Sequence, residues 1–208
     1  MTKDGYYVIL QPYDLLENGI EELKNAILER DMKKQLPADE LNTSLIDFYC
    51  NDLPNVDGVK LSDIMAMSNN DLEKGHHWVQ WAFPSDEVSK ANTNAPLLDK
   101  EVIEKLKSDV TFDKKFGASA DRFFDFLISC TYPDDNKPIW VTPRNHNYMR
   151  ITRVIKSAKL FDRFDIAERF YSFGRDLYDK WPNDIGDETL AFWLNAYSDQ
   201  MSKWLKLI

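Results

Sequence analysis

Apolar side chains recur every three or four residues along most of this chain, which is the spacing of one face of an α-helix. The pattern is clear from Tyr13 onward, where leucine and isoleucine keep this period as far as Leu28. Strand-like alternation is almost absent, and only Tyr6 to Leu10 forms a short apolar and aromatic run. The sequence therefore predicts an all-α fold with a short extended segment near its N-terminus.

Proline, glycine and capping residues divide this pattern into separate helices. Pro37 opens one helix, Asp99 is placed to cap another, and Pro84 stops a third. We expect about seven to nine helices in one domain over residues 1–208, without internal repeats. The predicted helices cover roughly residues 13–28, 37–53, 60–67, 71–83, 99–107, 112–130, 145–160, 163–180 and 187–207.

The composition supports a compact soluble domain. Of 208 residues, 43% are hydrophobic, and only 7 are glycine and 9 proline, which is unlike a disordered or linker-rich chain. At this length, folding buries roughly 70% of the surface of the unfolded chain, so the core needs no disulfide or structural metal.

The formal net charge of −9 argues against nonspecific binding to nucleic acid or to anionic membranes. Positive charge is concentrated only between Arg144 and Lys159. A small anionic ligand, or an acidic region of a partner protein, could still reach a local site there. We therefore expect a protein or small anionic ligand as the partner.

The two cysteines, Cys50 and Cys130, lie far apart and form no CxxC motif. We interpret both as buried structural thiols and expect a reducing, cytoplasmic environment. No apolar run approaches the roughly 18 residues of a membrane span, and residues 1–4 do not open a signal peptide.

The stretch from Asn145 to Ser157 predicts a helix with two chemically different faces. His146, Arg150 and Arg153 are spaced to share one face, and an apolar face lies roughly 130° around the helix axis. The apolar face comprises Ile151, Val154, Ile155 and Ala158. The cationic face is either an anion-binding stripe, helped by free N–H groups in the first turn, or a solvated face paired with surface carboxylates.

A second distinctive stretch runs from His76 to Pro84 and reads His-His-Trp-Val-Gln-Trp-Ala-Phe-Pro. Trp81 and Phe83 are most simply core residues, since each buries about 150–250 Å². His76 and Gln80 lie one turn apart on a helix and must be hydrogen-bonded if they are buried. They are either satisfied structural groups or ligand contacts.

These two stretches resemble the opioid growth factor receptor conserved domain, whose boxes read His-x-aromatic-Ile-Gln-Trp-x-Phe-Pro and His-Asn-x-x-Arg-Ile-Thr-Arg-aliphatic-aliphatic-Lys-Ser. Between them, Asn94 to Leu98 is similar to the Asn-x-Ala-Pro-Leu pattern of bacterial and phage relatives. The resemblance covers about residues 71–193, with the motifs in the family's order. It implies a helical domain in which the two boxes meet. The family's animal namesake is regarded as a receptor for an opioid peptide, but that reception is not carried over to this chain.

Three functional hypotheses follow for the two boxes. The leading one is a binding module that recognises a protein, peptide or small anionic ligand in a cleft between them. The alternative is an enzyme acting on a phosphate-bearing substrate, with His76 or His146 as acid and base and Arg150 and Arg153 stabilising negative charge. The third is a polar core network that only specifies the fold.

The candidate ligand-binding residues are His76, Trp78, Gln80, His146, Asn147, Arg150 and Arg153. No metal site is predicted, because the chain has 3 histidines and neighbouring His76 and His77 diverge on a helix. No cofactor is expected either, since no P-loop, dinucleotide-binding glycine pattern or nucleophile elbow occurs.

Overall fold

The computed structural model describes residues 37–89, 92, 94–129, 131–134 and 136–198. These residues form ten α-helices, which we label α1 to α10 in chain order. They are α1 (Ala38–Ile46), α2 (Leu61–Ala66), α3 (Asn69–Lys74), α4 (Trp78–Ala82), α5 (Lys100–Lys107), α6 (Val110–Ser129), α7 (Asn147–Leu160), α8 (Phe164–Lys180), α9 (Pro182–Ile185) and α10 (Asp187–Ser198).

The all-α prediction is confirmed for this part of the chain. No strand occurs among the described residues, which contain only two isolated bridges, Ser85 with Leu97 and Thr131 with Pro138. A π-helical turn, Asp47–Asn51, continues α1. The extended segment predicted at residues 6–10 and the helix predicted at 13–28 lie outside the described residues.

Polar side chains cap the start of several helices, one of them at the predicted position. Asp99 accepts a hydrogen bond from the Val102 backbone N–H at 2.9 Å, which caps α5 as expected. The Asp109 carboxylate accepts one from the Phe112 N–H at the start of α6. Ser68 caps α3 through a reciprocal pair of hydrogen bonds with Asp71.

One predicted helix, residues 71–83, is wrong because the chain forms two shorter helices there. After α3, Gly75 adopts an extended conformation, with φ −73° and ψ 131°, and α4 begins only at Trp78. A continuous helix would need the carbonyls of Leu72, Glu73 and Gly75 for its own N–H groups. Instead, these carbonyls accept hydrogen bonds from a side chain of α7. Because of this division and the short α9, the described residues contain two more helices than were predicted for that part of the chain.

Helix α7 lies at the centre of the core. Its predicted apolar face is fully buried, with Ile151, Val154, Ile155 and Ala158 at 0% exposure. It packs against α8 and α10, and Tyr148 contacts the rings of Trp140 and Trp193 edge-on. Packing of the apolar face and of the Tyr148 ring therefore fixes the position of α7.

Aromatic rings connect α4 to α6. Phe83, directly after α4, contacts Phe116 and Phe123 of α6, and Trp78 also packs on Phe123. Trp81 and Phe83 are fully buried, as the sequence predicted. Ile128, near the end of α6 and beyond the packed rings, is 47% exposed.

Gly174 allows α8 to approach α10 closely. A Cβ atom at this position would lie 2.8 Å from Cε3 of Trp193, whose indole is fully buried. We expect Gly174→Ala to lower the free energy of unfolding by about 1–3 kcal/mol, because the rigid ring must move. Urea unfolding monitored by circular dichroism measures the change.

Gly117→Ala in α6 is the matched control for this substitution. Its added Cβ would meet only the flexible end of Arg163, at 3.3 Å. Alanine also favours helix by up to about 1 kcal/mol, so the control should stay within about 1 kcal/mol of wild type. Equal losses in the two variants would show that close packing against Trp193 is not the constraint.

Candidate functional site

The two sequence boxes lie against each other and enclose an open cleft of about 750 Å³. The first box contributes His76, Val79 and Gln80, and α7 contributes His146, Met149 and Arg153. Residues 85 and 87–89, which follow the first box, also line the cleft. A cleft of this volume is large enough for a short peptide or a small-molecule ligand.

Arg150 is buried at 5% exposure and binds the C-terminal end of α3. Its Nη1 donates to the Leu72 carbonyl at 3.0 Å, and its Nη2 donates to the carbonyls of Glu73 and Gly75. The guanidinium carbon also lies 5.3 Å from the centre of the Trp78 ring. Carbonyls at a helix C-terminus lack intrahelical partners and carry partial negative charge. Arg150 therefore acts as a C-cap for α3.

Glu73 provides the carboxylate beside this arginine. Its Oε2 accepts a hydrogen bond from the fully buried Asn147 amide at 2.9 Å, and Asn147 in turn accepts one from Arg150 at 3.0 Å. Its Oε1 lies 3.4 Å from Nε2 of His146. Burial lowers the pKa of Arg150 to about 10, although the Glu73 charge acts to raise it. The result is a compact polar cluster, two of whose members, His146 and Arg150, also line the cleft.

Three consecutive carbonyls, beginning at the last residue of α4, also receive side-chain donors. Tyr49 donates to the carbonyl of Ala82, Arg153 Nε donates to that of Phe83 at 2.7 Å, and Ser157 donates to that of Pro84 at 2.6 Å. Two of these donors come from one face of α7. The polar face of α7 therefore holds the backbone of the first box in place.

Arg153 has hydrogen-bonding capacity left after this contact. Its Nη2 is buried and reaches no acceptor among the described residues. Burial lowers the pKa of Arg153 to about 10, and the Glu87 charge acts in the opposite direction. A buried donor without a partner costs about 1–3 kcal/mol, so pairing this N–H with an acceptor would be favourable.

His76 and His146 meet at the cleft, with their ring centroids 5.5 Å apart in an edge-on arrangement. Burial is the main cause that lowers the pKa of His146 below 6.5, and the positive charge of Arg150 adds to it. Glu73 opposes the shift by favouring the protonated ring. The neutral form of His146 is therefore favoured near neutral pH.

The two remaining candidates mainly hold the backbone. Trp78 is buried and donates its indole N–H to the Leu72 carbonyl at 3.0 Å. With its amide nitrogen turned toward them, Gln80 donates to the carbonyls of His76 and His77, at 2.9 and 3.0 Å. These bonds fix the segment that joins α3 to α4.

The first box lies in a part of the chain that is similar to a known conserved region. The sequence model of the opioid growth factor receptor (OGFr) conserved region matches residues 38–129. Over this range the chain is similar to this family. The matched range contains the first box, Glu73 and Glu87, and it ends before α7, which carries the second box. The conserved region thus supplies the carbonyl acceptors, and the donors of α7 come from the sequence that follows it.

Curated relatives share this similarity. The opioid growth factor receptor-like protein 1 of Xenopus tropicalis is 31% identical over 125 residues, which covers 53% of this chain and 24% of the relative. The protein of the same name from Mus musculus is 30% identical over 128 residues, covering 55% of this chain and 27% of the relative. The chain thus spans about a quarter of the length of these relatives. No solved structure gave a significant match.

The structure brings all the candidate residues together, but only some of them line the cleft. His76, Gln80, His146, Arg150 and Arg153 line it, whereas Trp78 and Asn147 lie behind it. The Arg150 nitrogens that donate to α3 are already occupied. Ligand binding by these residues stays a prediction.

The sequence reasoning missed Glu73 and Glu87, the carboxylates beside the cationic helix. Glu73 is separated from Asn147 by 74 positions, and Glu87 is separated from Lys156 by 69. One available signal was that each acidic residue lies three positions from an end of the first box. The sequence does not show that both face α7.

Two general properties concern the described part of the chain. No group of three or more His, Cys, Asp or Glu side chains in it is placed to hold a metal ion. None of the helices described there is both long enough and apolar enough to cross a membrane.

Removing the Arg150 guanidinium should destabilise the fold. In Arg150→Met, buried carbonyls at the end of α3 lose their donors, and Glu73 loses a neighbouring positive charge. We expect the free energy of unfolding to fall by about 3 kcal/mol, measured by urea denaturation.

Arg175→Met on α8 is the control for this change. The Arg175 side chain is 54% exposed, and its Nη2 lies 3.9 Å from the Asp176 carboxylate. Its loss should change stability by less than about 0.5 kcal/mol. If Arg150→Met were as stable as this control, Arg150 would not act as a cap.

The lowered pKa of His146 predicts how stability depends on pH. Because the folded state binds this proton less readily than the unfolded state does, the contribution is complete above pH 6.5 and is lost as the pH falls below it. Urea unfolding at about pH 7.5 and about pH 5.5 should show a smaller loss in His146→Gln than in wild type. An NMR titration in which His146 has a pKa above 6.5 would contradict this interpretation.

Proposed function

We propose that this chain is a binding module whose cleft, between the first box and α7, takes a short acidic peptide segment with apolar side chains beside its carboxylates. The observation that carries the proposal is the charge of the cleft. Among the residues that line it are three permanent cations, Arg150, Arg153 and Lys156, and one carboxylate, Glu87. The whole chain, in contrast, carries a formal charge of −9.

Arg153 supplies the specific anchor in this proposal. Its Nη2 has no acceptor among the described residues, and its Nε bond to Phe83 fixes the position of the guanidinium. A carboxylate that accepts from Nη2 would satisfy this donor. Charge-assisted hydrogen bonds of this kind are about twice as strong as neutral ones.

Apolar side chains at the cleft support a peptide over a free inorganic anion. Met149 is 62% exposed and Val88 is 76% exposed, and both line the cleft beside the cations. Methionine adapts its shape readily, and it is frequent at peptide-binding surfaces. A ligand with alternating acidic and apolar side chains would use both kinds of contact.

The relatives agree with a binding role in one respect, since their names describe them as receptor-like. The enzyme alternative, in which His76 and His146 act as acid and base on a phosphate-bearing substrate, has less support. Those rings do lie close together, but Nε2 of His146 is buried and faces Glu73. That nitrogen therefore already has a carboxylate of the protein beside it, whereas Nη2 of Arg153 reaches no acceptor among the described residues.

The proposal can be tested with a fluorescein-labelled peptide of alternating leucine and glutamate. Fluorescence anisotropy should show saturable binding to wild type that weakens with added salt. Met149→Glu removes an apolar contact and adds a negative charge, so we expect affinity to fall by about tenfold or more.

Val110→Glu is the matched control for this substitution. Val110 is 82% exposed at the start of α6 and does not line the cleft. Its affinity for the peptide should equal that of wild type. Equal weakening in both variants would place the binding surface elsewhere, and the absence of any binding to folded wild type would refute the proposal.

A further inference from the structure

A carboxylate of this chain already occupies the cationic wall of the cleft. Both oxygens of Glu87 lie close to Nζ of Lys156, at 2.7 and 2.8 Å. Among the residues that line the cleft, Glu87 is the one with a carboxylate. Its charge also acts on Arg153, one turn before Lys156 on α7.

The chain around Glu87 is fixed to the protein at positions 84 and 85. The carbonyl of Pro84 accepts the hydrogen bond from Ser157, and the carbonyl of Ser85 accepts one from the Leu98 N–H at 3.0 Å. The Glu87 N–H donates to Oγ of Ser85 at 3.2 Å. These contacts hold the backbone beside α7, so Glu87 reaches Lys156 from a defined position.

We propose that Glu87 is an internal competitor, which occupies in the free protein the place that a ligand carboxylate takes in the complex. This inference rests on the proposed function of the cleft. Binding would exchange the Glu87–Lys156 ion pair for an equivalent pair between the ligand and Lys156, and the ligand would also reach Arg153. The exchange gives the cleft selectivity, because a neutral peptide has no group that replaces Glu87.

The exposure of the ion pair makes such an exchange feasible. The Glu87 side chain is 61% exposed and that of Lys156 is 38% exposed. Exposed pairs of this kind contribute little to stability, and water can solvate the released carboxylate. The backbone contacts of Pro84 and Ser85 do not need to break.

Glu87→Gln tests the inference, because glutamine keeps the size of the side chain and removes its charge. Using the leucine–glutamate peptide as the probe, we expect this variant to bind about threefold to tenfold more tightly than wild type, with a smaller gain at high salt. A leucine–glutamine peptide should gain nothing. Glu101→Gln, on the exposed side of α5, is the control and should bind both peptides as wild type does.

The outcomes separate the inference from the proposed function. If wild type binds the acidic peptide and Glu87→Gln binds it equally or more weakly, Glu87 is not a competitor, and the function of the cleft stands. A gain that is equal for both peptides would also overturn competition by charge. If neither folded protein binds the acidic peptide, the proposed function fails, and the inference fails with it.

Discussion

The described structure depends on hydrogen bonds from side chains of α7 to backbone carbonyls of other segments. Helices α3 and α4 contain six and five residues and leave unpaired carbonyls near the core. Arg150 takes three carbonyls at the end of α3, and Arg153 and Ser157 take those of Phe83 and Pro84. At the other end of α7, Lys159 donates to the carbonyls of Ala196 and Tyr197. Buried carbonyls must be paired, so α7 specifies where these segments lie.

The same arrangement links stability to the properties of the cleft. Arginines brought in as donors for carbonyls also bring positive charge into partly buried positions, where water screens it less. Arg150 uses its guanidinium on α3, whereas Arg153 keeps one N–H without an acceptor among the described residues. Much of the positive charge at the cleft therefore comes from arginines that also donate hydrogen bonds to backbone carbonyls.

Much of this fold could be predicted from the sequence, because local spacing determines it. The long helix α6, the two faces of α7 and the Asp99 cap depend on residues within a few positions of one another. The break at Gly75 could not be predicted, since it depends on Arg150, which lies 75 positions later. The capping role of Arg150 could not be predicted either. Its hydrogen-bond partners are mostly backbone carbonyls, and every residue type has a backbone carbonyl. Sequence patterns identify charged partners far better than they identify backbone acceptors.

The C-cap that Arg150 provides has a consequence for how this domain tolerates change. Because the contact recognises main-chain oxygens, replacing Leu72 or Glu73 leaves the carbonyls that Arg150 binds in place, whereas Arg150 has no equivalent substitute. Gly75 is constrained for a different reason, since an added Cβ would lie 3.0 Å from both the Asp71 oxygen and the Trp78 ring. The Arg150 contact itself is therefore sensitive to substitution of Arg150, but not to the side-chain type of the residues whose carbonyls it binds. A search for paired substitutions between α3 and α7 would miss this contact. Arg150 contributes its side chain to it, whereas the end of α3 contributes only backbone carbonyls.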